Sequence, residues 1–135
     1  MARPRSENPT PAELEILQAI WDRGPSTVRQ VLTVLRRHRP LAYTTVMSLM
    51  NVMVAKDLLI RRLQGRAFVY QAKSTRQRTR SRILQDVLRR AFGGSTAALV
   101  NHLLRHGVTS DEELDEIART ISEVAGRKET KDERH

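Results

Sequence analysis

The sequence predicts a mainly α-helical chain carrying one small β-hairpin, and three observations lead there. Apolar residues recur at helical spacing in six separate segments. The strand-like stretches are two short β-rich runs on either side of a Gly-containing turn. Aromatic residues make up only 4% of the 135 residues, so Leu, Ile, Val, Met and Ala must fill the core. That diet favours helices over a β-sandwich. The length suits one ordinary domain, or two small ones sharing a core.

Thr10-Pro11-Ala12-Glu13 opens the first helix: Thr10 caps, Pro11 suits the first helical position and Glu13 completes a capping box. Leu14, Leu17, Ile20 and Trp21 form its apolar face, and Gly24-Pro25 ends it. Ser26 is expected to cap a second helix whose inward residues are Val28, Val31, Leu32 and Leu35, with Arg29, Arg36 and Arg37 elsewhere on it. Pro40 stops this helix, and a third begins at Thr44 or Thr45 with Val46, Leu49, Met50 and Met53 facing inward. Leu58–Leu63 and Ala67–Gln71 are strands joined by Gln64-Gly65-Arg66. Lys73–Arg80 reads as a basic hinge leading into a fourth helix, with Ile83, Leu84, Val87, Leu88, Ala91 and Phe92 along one stripe. After Gly93-Gly94, Ser95 caps a fifth helix bearing Leu99, Val100, Leu103 and Leu104. Ser110 caps a sixth, with Glu113 at the capping-box position and Leu114, Ile117, Ala118 and Ile121 on one side.

Three helices followed by a basic hairpin is the order of a winged helix-turn-helix. That motif lays its second motif helix in the major groove of DNA. The fold expected is therefore mainly α with a small β-hairpin: an N-terminal winged helix-turn-helix and a C-terminal helical dimerisation domain. The expected boundaries are a disordered arm over 1–9, the winged-helix domain over 10–73, the dimerisation domain over 74–124 and a disordered charged tail over 125–135.

Charge supports this division. The chain carries 24 Lys and Arg against 15 Asp and Glu, a net +9. Residues 1–74 hold 12 basic and 5 acidic side chains, residues 75–92 hold 6 and 1, and residues 93–135 hold 6 and 9. The first two-thirds are built to meet an anion. Nucleic acid and an anionic membrane surface both fit that balance, but the scarcity of aromatics and of a strongly basic amphipathic helix disfavours the membrane. Cysteine is absent, which excludes disulfides, thiolate metal sites and a cysteine nucleophile. No nucleophile–base pair, phosphate-cradling glycine loop or HExxH motif occurs, so the chain reads as a non-enzyme without a cofactor. Neither a membrane span nor a signal region is present, and the expectation is a soluble cytoplasmic protein.

The outward face of the third helix shows Thr45, Met47, Ser48, Asn51, Val52 and Lys56. Short, mostly uncharged side chains of this kind read base edges or fit against thymine methyl groups. The candidate DNA-binding residues are Tyr43, Thr44, Thr45, Met47, Ser48 and Asn51 on this helix and Arg62 and Arg66 on the hairpin. A merely polar helix face is the plainer alternative. Arg61 and Arg62 alternate to opposite faces of the strand and do different jobs. His102 and His106 stand four apart on a helix, but a pair alone is weak evidence for a metal, and both read as the edge of a core. The last three helices are short for an independent domain. Their stripes, Ile83, Leu84, Val87, Leu88, Phe92, Leu99, Val100, Leu103, Leu104, Leu114, Ile117 and Ile121, are expected to pack against a second copy of the chain.

Several segments together resemble one family. Thr10-Pro11-Ala12-Glu13-Leu14-Glu15-Ile16-Leu17 with Ile20-Trp21, Val28-Arg29-Gln30-Val31, Leu41-Ala42-Tyr43-Thr44-Thr45-Val46-Met47, Lys56-Asp57-Leu58-Leu59, Gly65-Arg66-Ala67-Phe68-Val69-Tyr70 and Phe92-Gly93-Gly94-Ser95 with Ala98-Leu99-Val100 are similar to the BlaI/MecI/CopY group of bacterial repressors. The resemblance spans about residues 10–124. It implies a homodimer that binds palindromic operator DNA and blocks transcription. In the best-known members a membrane-bound sensor protease pathway leads to cleavage within the dimerisation helices. The staphylococcal members carry Asn-Phe at the cleaved bond, where this chain has His102-Leu103. Copper-responsive members use a C-terminal cysteine cluster, which this chain lacks. Many members have Arg where this chain has Val52. A sequence-indifferent architectural protein of nucleic acid is the alternative function.

Overall fold

The computed structural model describes residues 8–107 and 109–133. In chain order the elements are α1 (Pro11–Arg23), α2 (Val28–Leu35), α3 (Tyr43–Ala55), β1 (Leu59–Gln64), β2 (Ala67–Ala72), α4 (Arg76–Phe92), α5 (Thr96–His106) and α6 (Asp111–Glu133). The chain separates into two compact units, one reaching Val87 and the other starting at Leu88.

α1 begins as its sequence dictates. The Thr10 amide donates to Glu13 Oε1 at 2.9 Å, and the Glu13 amide donates to Thr10 Oγ1 at 3.2 Å. Two otherwise orphaned N–H groups are thereby satisfied. The helix buries Ile16, Leu17, Ala19 and Ile20, while Leu14 and Trp21 are only half-buried. α2 starts one residue later than expected. Thr27, not Ser26, is its cap, in a second capping box with Gln30. Ser26 is fully buried instead. Its amide donates to Tyr70 O at 3.0 Å, and the Tyr70 amide donates to Ser26 O at 2.8 Å. This bridge adds a single residue to the hairpin as a third strand.

α3 also starts earlier than expected, at Tyr43, with Ala42 as a cap that makes no side-chain bond. It ends in a Schellman arrangement. Leu58 N–H donates to Met53 O at 2.9 Å and Asp57 N–H to Val54 O at 3.1 Å, with Asp57 at φ +66°. β1 and β2 pair antiparallel from Leu59 opposite Ala72 to Gln64 opposite Ala67. Gly65 takes φ +61° at the first position of the two-residue turn, where a side chain would be strained.

Val28, Val31, Leu32 and Leu35 of α2 and Val46, Met50 and Met53 of α3 meet the α1 face, Leu59 and Tyr70 in one buried cluster. Each such aliphatic side chain contributes about 1.5–3 kcal/mol on burial.

Residues 73–80 are not a hinge. Lys73 Nζ pairs with Asp57 at 2.6 Å, Trp21 Nε1 donates to Ser74 O at 2.9 Å, and Arg76 pairs with Asp22 while lying over the Trp21 ring. Thr79 is buried. The start of α4 is therefore fastened to the end of α1 through the Trp21 indole and the Asp22 carboxylate, and Lys73 ahead of it is held by Asp57 just past α3. The compact N-terminal unit accordingly extends past residue 73, into α4.

Ser95 Oγ accepts from Ala98 N–H and Ser110 Oγ from Glu113 N–H, both at 3.1 Å, so both expected caps form. The expected disordered tail is instead helical through Glu133. Ala125, Arg127, Lys128 and Glu129 are strong helix formers, and Glu123 and Arg127 have the favourable acid-before-base spacing. In the expected disordered arm, residues 1–7 lie outside the described residues, as do residues 134 and 135 of the tail.

Glu13 is 2% exposed and receives Lys56 Nζ at 2.9 Å on each carboxylate oxygen. Burial alone would raise its pKa. The Thr10 amide and the Lys56 ammonium outweigh burial and hold the carboxyl below its ordinary range. A depressed folded pKa stabilises the fold above the unfolded value, and that stability is lost as pH falls through the folded value. Glu13→Gln is expected to cost about 1–3 kcal/mol at pH 7. In urea melts the gap between variant and parent should narrow below about pH 4, within the carboxylate range. A gap constant from pH 7 to pH 3 contradicts the charged pairing.

Candidate nucleic-acid interface

Burying Val46, Met50 and Met53 turns the opposite side of α3 outward. Tyr43, Thr44, Thr45, Ser48 and Val52 are exposed there. Met47 is half-buried and packs against the core, so much of its side chain is already spent on packing. Lys56 leaves this face altogether, because it turns to Glu13 on α1.

Asn51 is half-buried and holds a junction. Its Oδ1 accepts from Arg61 of β1 and from the Tyr70 hydroxyl of β2, each at 2.9 Å. Arg only donates, so the acceptor is the amide oxygen and the NH2 group faces elsewhere. An Asn that grips adenine uses both its oxygen and its nitrogen. With both lone pairs taken, the Asn51 oxygen has none left for adenine N6, so Asn51 cannot make that two-point grip. What remains is the NH2, which donates to acceptors such as purine N7, guanine O6 or thymine O4.

The hairpin residues sort by alternation. Leu59, Arg61 and Leu63 with Phe68, Tyr70 and Ala72 share one face, which Leu59 and Tyr70 anchor in the core. Arg61 lies on this face, with its guanidinium 4.5 Å from the Phe68 ring centre. Arg62 lies on the other face with Ile60 and Val69, away from Asn51. Arg66 is exposed at the turn. Residues 58–72 contain three arginines and no acidic side chain.

Two further residues join the surface. Arg29 of α2 reaches over the Tyr43 ring at 5.3 Å, which fixes a cation beside the first turn of α3. Arg61 joins through Asn51. For Arg61 the usable signal is the alternation of β1, which puts it on the same face as Leu59, whereas nothing in the sequence puts Arg29 against Tyr43. The sequence-expected residues Tyr43, Thr44, Thr45, Ser48 and Asn51 are thus brought together along α3, and Arg66 stands at the hairpin tip.

The C-terminal candidates present a different surface. α5 buries no residue. Leu84, Val87, Leu103, Leu104, Leu114, Ile121 and Val124 are exposed, with Ile121 56% and Leu103 54% accessible. Ile83, Leu88, Phe92, Leu99, Val100 and Ile117 are half-buried. The His102 ring stands edge-on to Phe92 at 5.7 Å and 4.7 Å from the His106 ring. No group of three potential metal-ligating side chains occurs among the described residues. No described helix is long and apolar enough to cross a membrane.

Two solved regulators are similar to this chain. One is a MarR family protein from Bacillus stearothermophilus, at TM-score 0.46 and 21% identity over 88% of this chain and 74% of that one. The other is the transcriptional regulator Tm0710 from Thermotoga maritima, at TM-score 0.47 and 23% identity over 90% of this chain and 78% of that one. A curated relative, the transcriptional regulator BlaI of Mycobacterium tuberculosis, is 33% identical over 115 residues, 83% of this chain and 81% of its own length. Residues 9–123 match the penicillinase repressor model. With three helices, a basic hairpin and an open α3 face already in place, this chain belongs to the penicillinase repressor family.

Proposed function

We propose that this transcriptional regulator acts as a homodimeric repressor, placing α3 of each subunit in the major groove of a palindromic operator. The observation that carries the reading is the exposed, uncharged polar face of α3 beside an acid-free arginine hairpin. Thr44, Thr45 and Ser48 supply short donors and acceptors for base edges, and the Asn51 NH2 adds a donor. Tyr43, held by Arg29, contacts the backbone at the start of α3. Met47 and Val52 offer apolar surface for thymine methyl groups. Arg66 meets phosphate at the tip, while Arg62 on the far face contributes through the general field.

Dimerisation rests on the exposed stripes of α4, α5 and α6. A soluble monomer rarely leaves so many Leu, Ile and Val side chains exposed along consecutive helices. A second copy of the same helices provides a matching apolar surface under two-fold symmetry. The two α3 helices then address half-sites about 34–36 Å apart, or a multiple of that. Release follows from a signal that weakens the C-terminal interface. A sensor protease pathway, as in the family's best-known members, is one such signal. The His102–Leu103 bond would need local unwinding to be cut, since it lies well inside α5.

Selection of duplexes from a randomised pool should enrich inverted repeats. Enrichment of none, or equal binding to random duplex, favours the architectural alternative. On an enriched duplex, Arg66→Ala should weaken binding to all sequences alike and reduce the salt slope by about one. Asn51→Ala should relax preference at one operator position by about 0.5–1.5 kcal/mol, the loss of one hydrogen bond from its NH2 group. Equal losses on operator and random duplex would show that Asn51 only braces the hairpin. Leu103→Glu and Ile121→Glu should shift the protein to single subunits in gel filtration and abolish tight operator binding. Retention of the larger species by both variants contradicts the assignment of the interface.

A further inference from the structure

The hairpin carries an apolar feature that phosphate contact does not use. Leu63 and Phe68 are cross-strand partners next to the tip, 65% and 42% exposed. They lie on the face that Leu59 and Tyr70 anchor in the core and that meets α3 through Arg61 and Asn51. Beyond that junction the face continues past the core, so the pair projects on the α3 side of the hairpin. Arg61 covers one side of the Phe68 ring at 4.5 Å, leaving Leu63 as the more prominent member. Arg66 stands at the adjoining turn. An exposed Leu–Phe pair flanked by cations, with no carboxylate in the hairpin, matches a partner that is anionic at its rim and apolar within.

We propose that Leu63, buttressed by Phe68, is a wedge that enters the minor groove of the bound duplex and partly unstacks one base step. This rests on the reading of α3 as the major-groove element. The wedge face is continuous with α3, so both address the same duplex. The hairpin arginines match the phosphates that line the groove, and the stacked bases supply the apolar interior. Apolar side chains inserted between base steps kink DNA in this way and allow more of it to be wrapped by protein. The wedge adds apolar contact and leaves the count of neutralised phosphates unchanged.

The test uses the full-length protein and a duplex enriched by the wild type from a randomised pool. 2-Aminopurine is placed singly at successive positions within and beside the half-sites. Wild-type binding should raise fluorescence at one symmetry-related pair of steps beside the α3 contacts. Leu63→Ser should abolish that rise and weaken binding about tenfold, the loss expected for one buried leucine, with the salt slope unchanged. Ile60→Ser, 39% exposed on the opposite face, should change neither. No fluorescence rise with the wild type, together with unchanged affinity for Leu63→Ser, overturns the wedge and leaves operator binding intact. Equal weakening by Ile60→Ser and Leu63→Ser also overturns it. Failure to enrich any duplex overturns the underlying reading as well.

Discussion

Tyr70 is the constraint on which the DNA-facing unit depends. Its ring is fully buried among the helices. Its backbone exchanges two hydrogen bonds with Ser26, just ahead of α2, and its hydroxyl bonds Asn51 of α3. One residue therefore ties the hairpin to both helices of the helix-turn-helix. A two-stranded hairpin is marginal alone in water. Fastened through Tyr70, it becomes a fixed arm beside α3, and the positions of Arg61, Leu63, Phe68 and Arg66 follow from that attachment.

The N-terminal unit satisfies its own needs, and the C-terminal helices do not. α1 to α3 bury a common cluster, Thr10 and Thr27 cap α1 and α2, and the buried carboxylate of Glu13 is paired with Lys56. α5 and α6 cap well through Ser95 and Ser110, yet their apolar side chains remain largely exposed. These helices are specified locally by good caps, and in the proposed dimer their exposed stripes pack on a second copy. A repressor whose affinity depends on pairing has a natural point of control there, since two linked half-sites bind far more tightly than one.

Much of this was legible in the sequence because it is periodic or local. The inward residues Val28, Val31, Leu32 and Leu35 and the turn at Gly65 follow from spacing and backbone preference alone. The illegible parts are contacts between distant residues. Ser26 and Thr27 are both good caps by type, and the Gln30 side chain together with the pairing of Ser26 to the Tyr70 backbone decides for Thr27. Lys73–Arg80 is basic enough to read as a linker, but Trp21, Asp22 and Asp57 supply partners that composition does not reveal. Asn51 shows the same limit at the site itself. Its residue type suggests adenine, whereas Arg61 and Tyr70 occupy the oxygen that adenine would need. The charge of the tail reads as disorder, whereas Ala125, Arg127, Lys128 and Glu129 are strong helix formers and carry α6 on to Glu133.

In the proposed repressor the DNA-reading unit works only as a pair. The mass of the complex formed on an enriched duplex, measured by sedimentation, tests it most directly. Two chains per duplex, joined before DNA is added, is the result the exposed helical stripes require. One chain per duplex, with binding as tight as on the full inverted repeat, would contradict it.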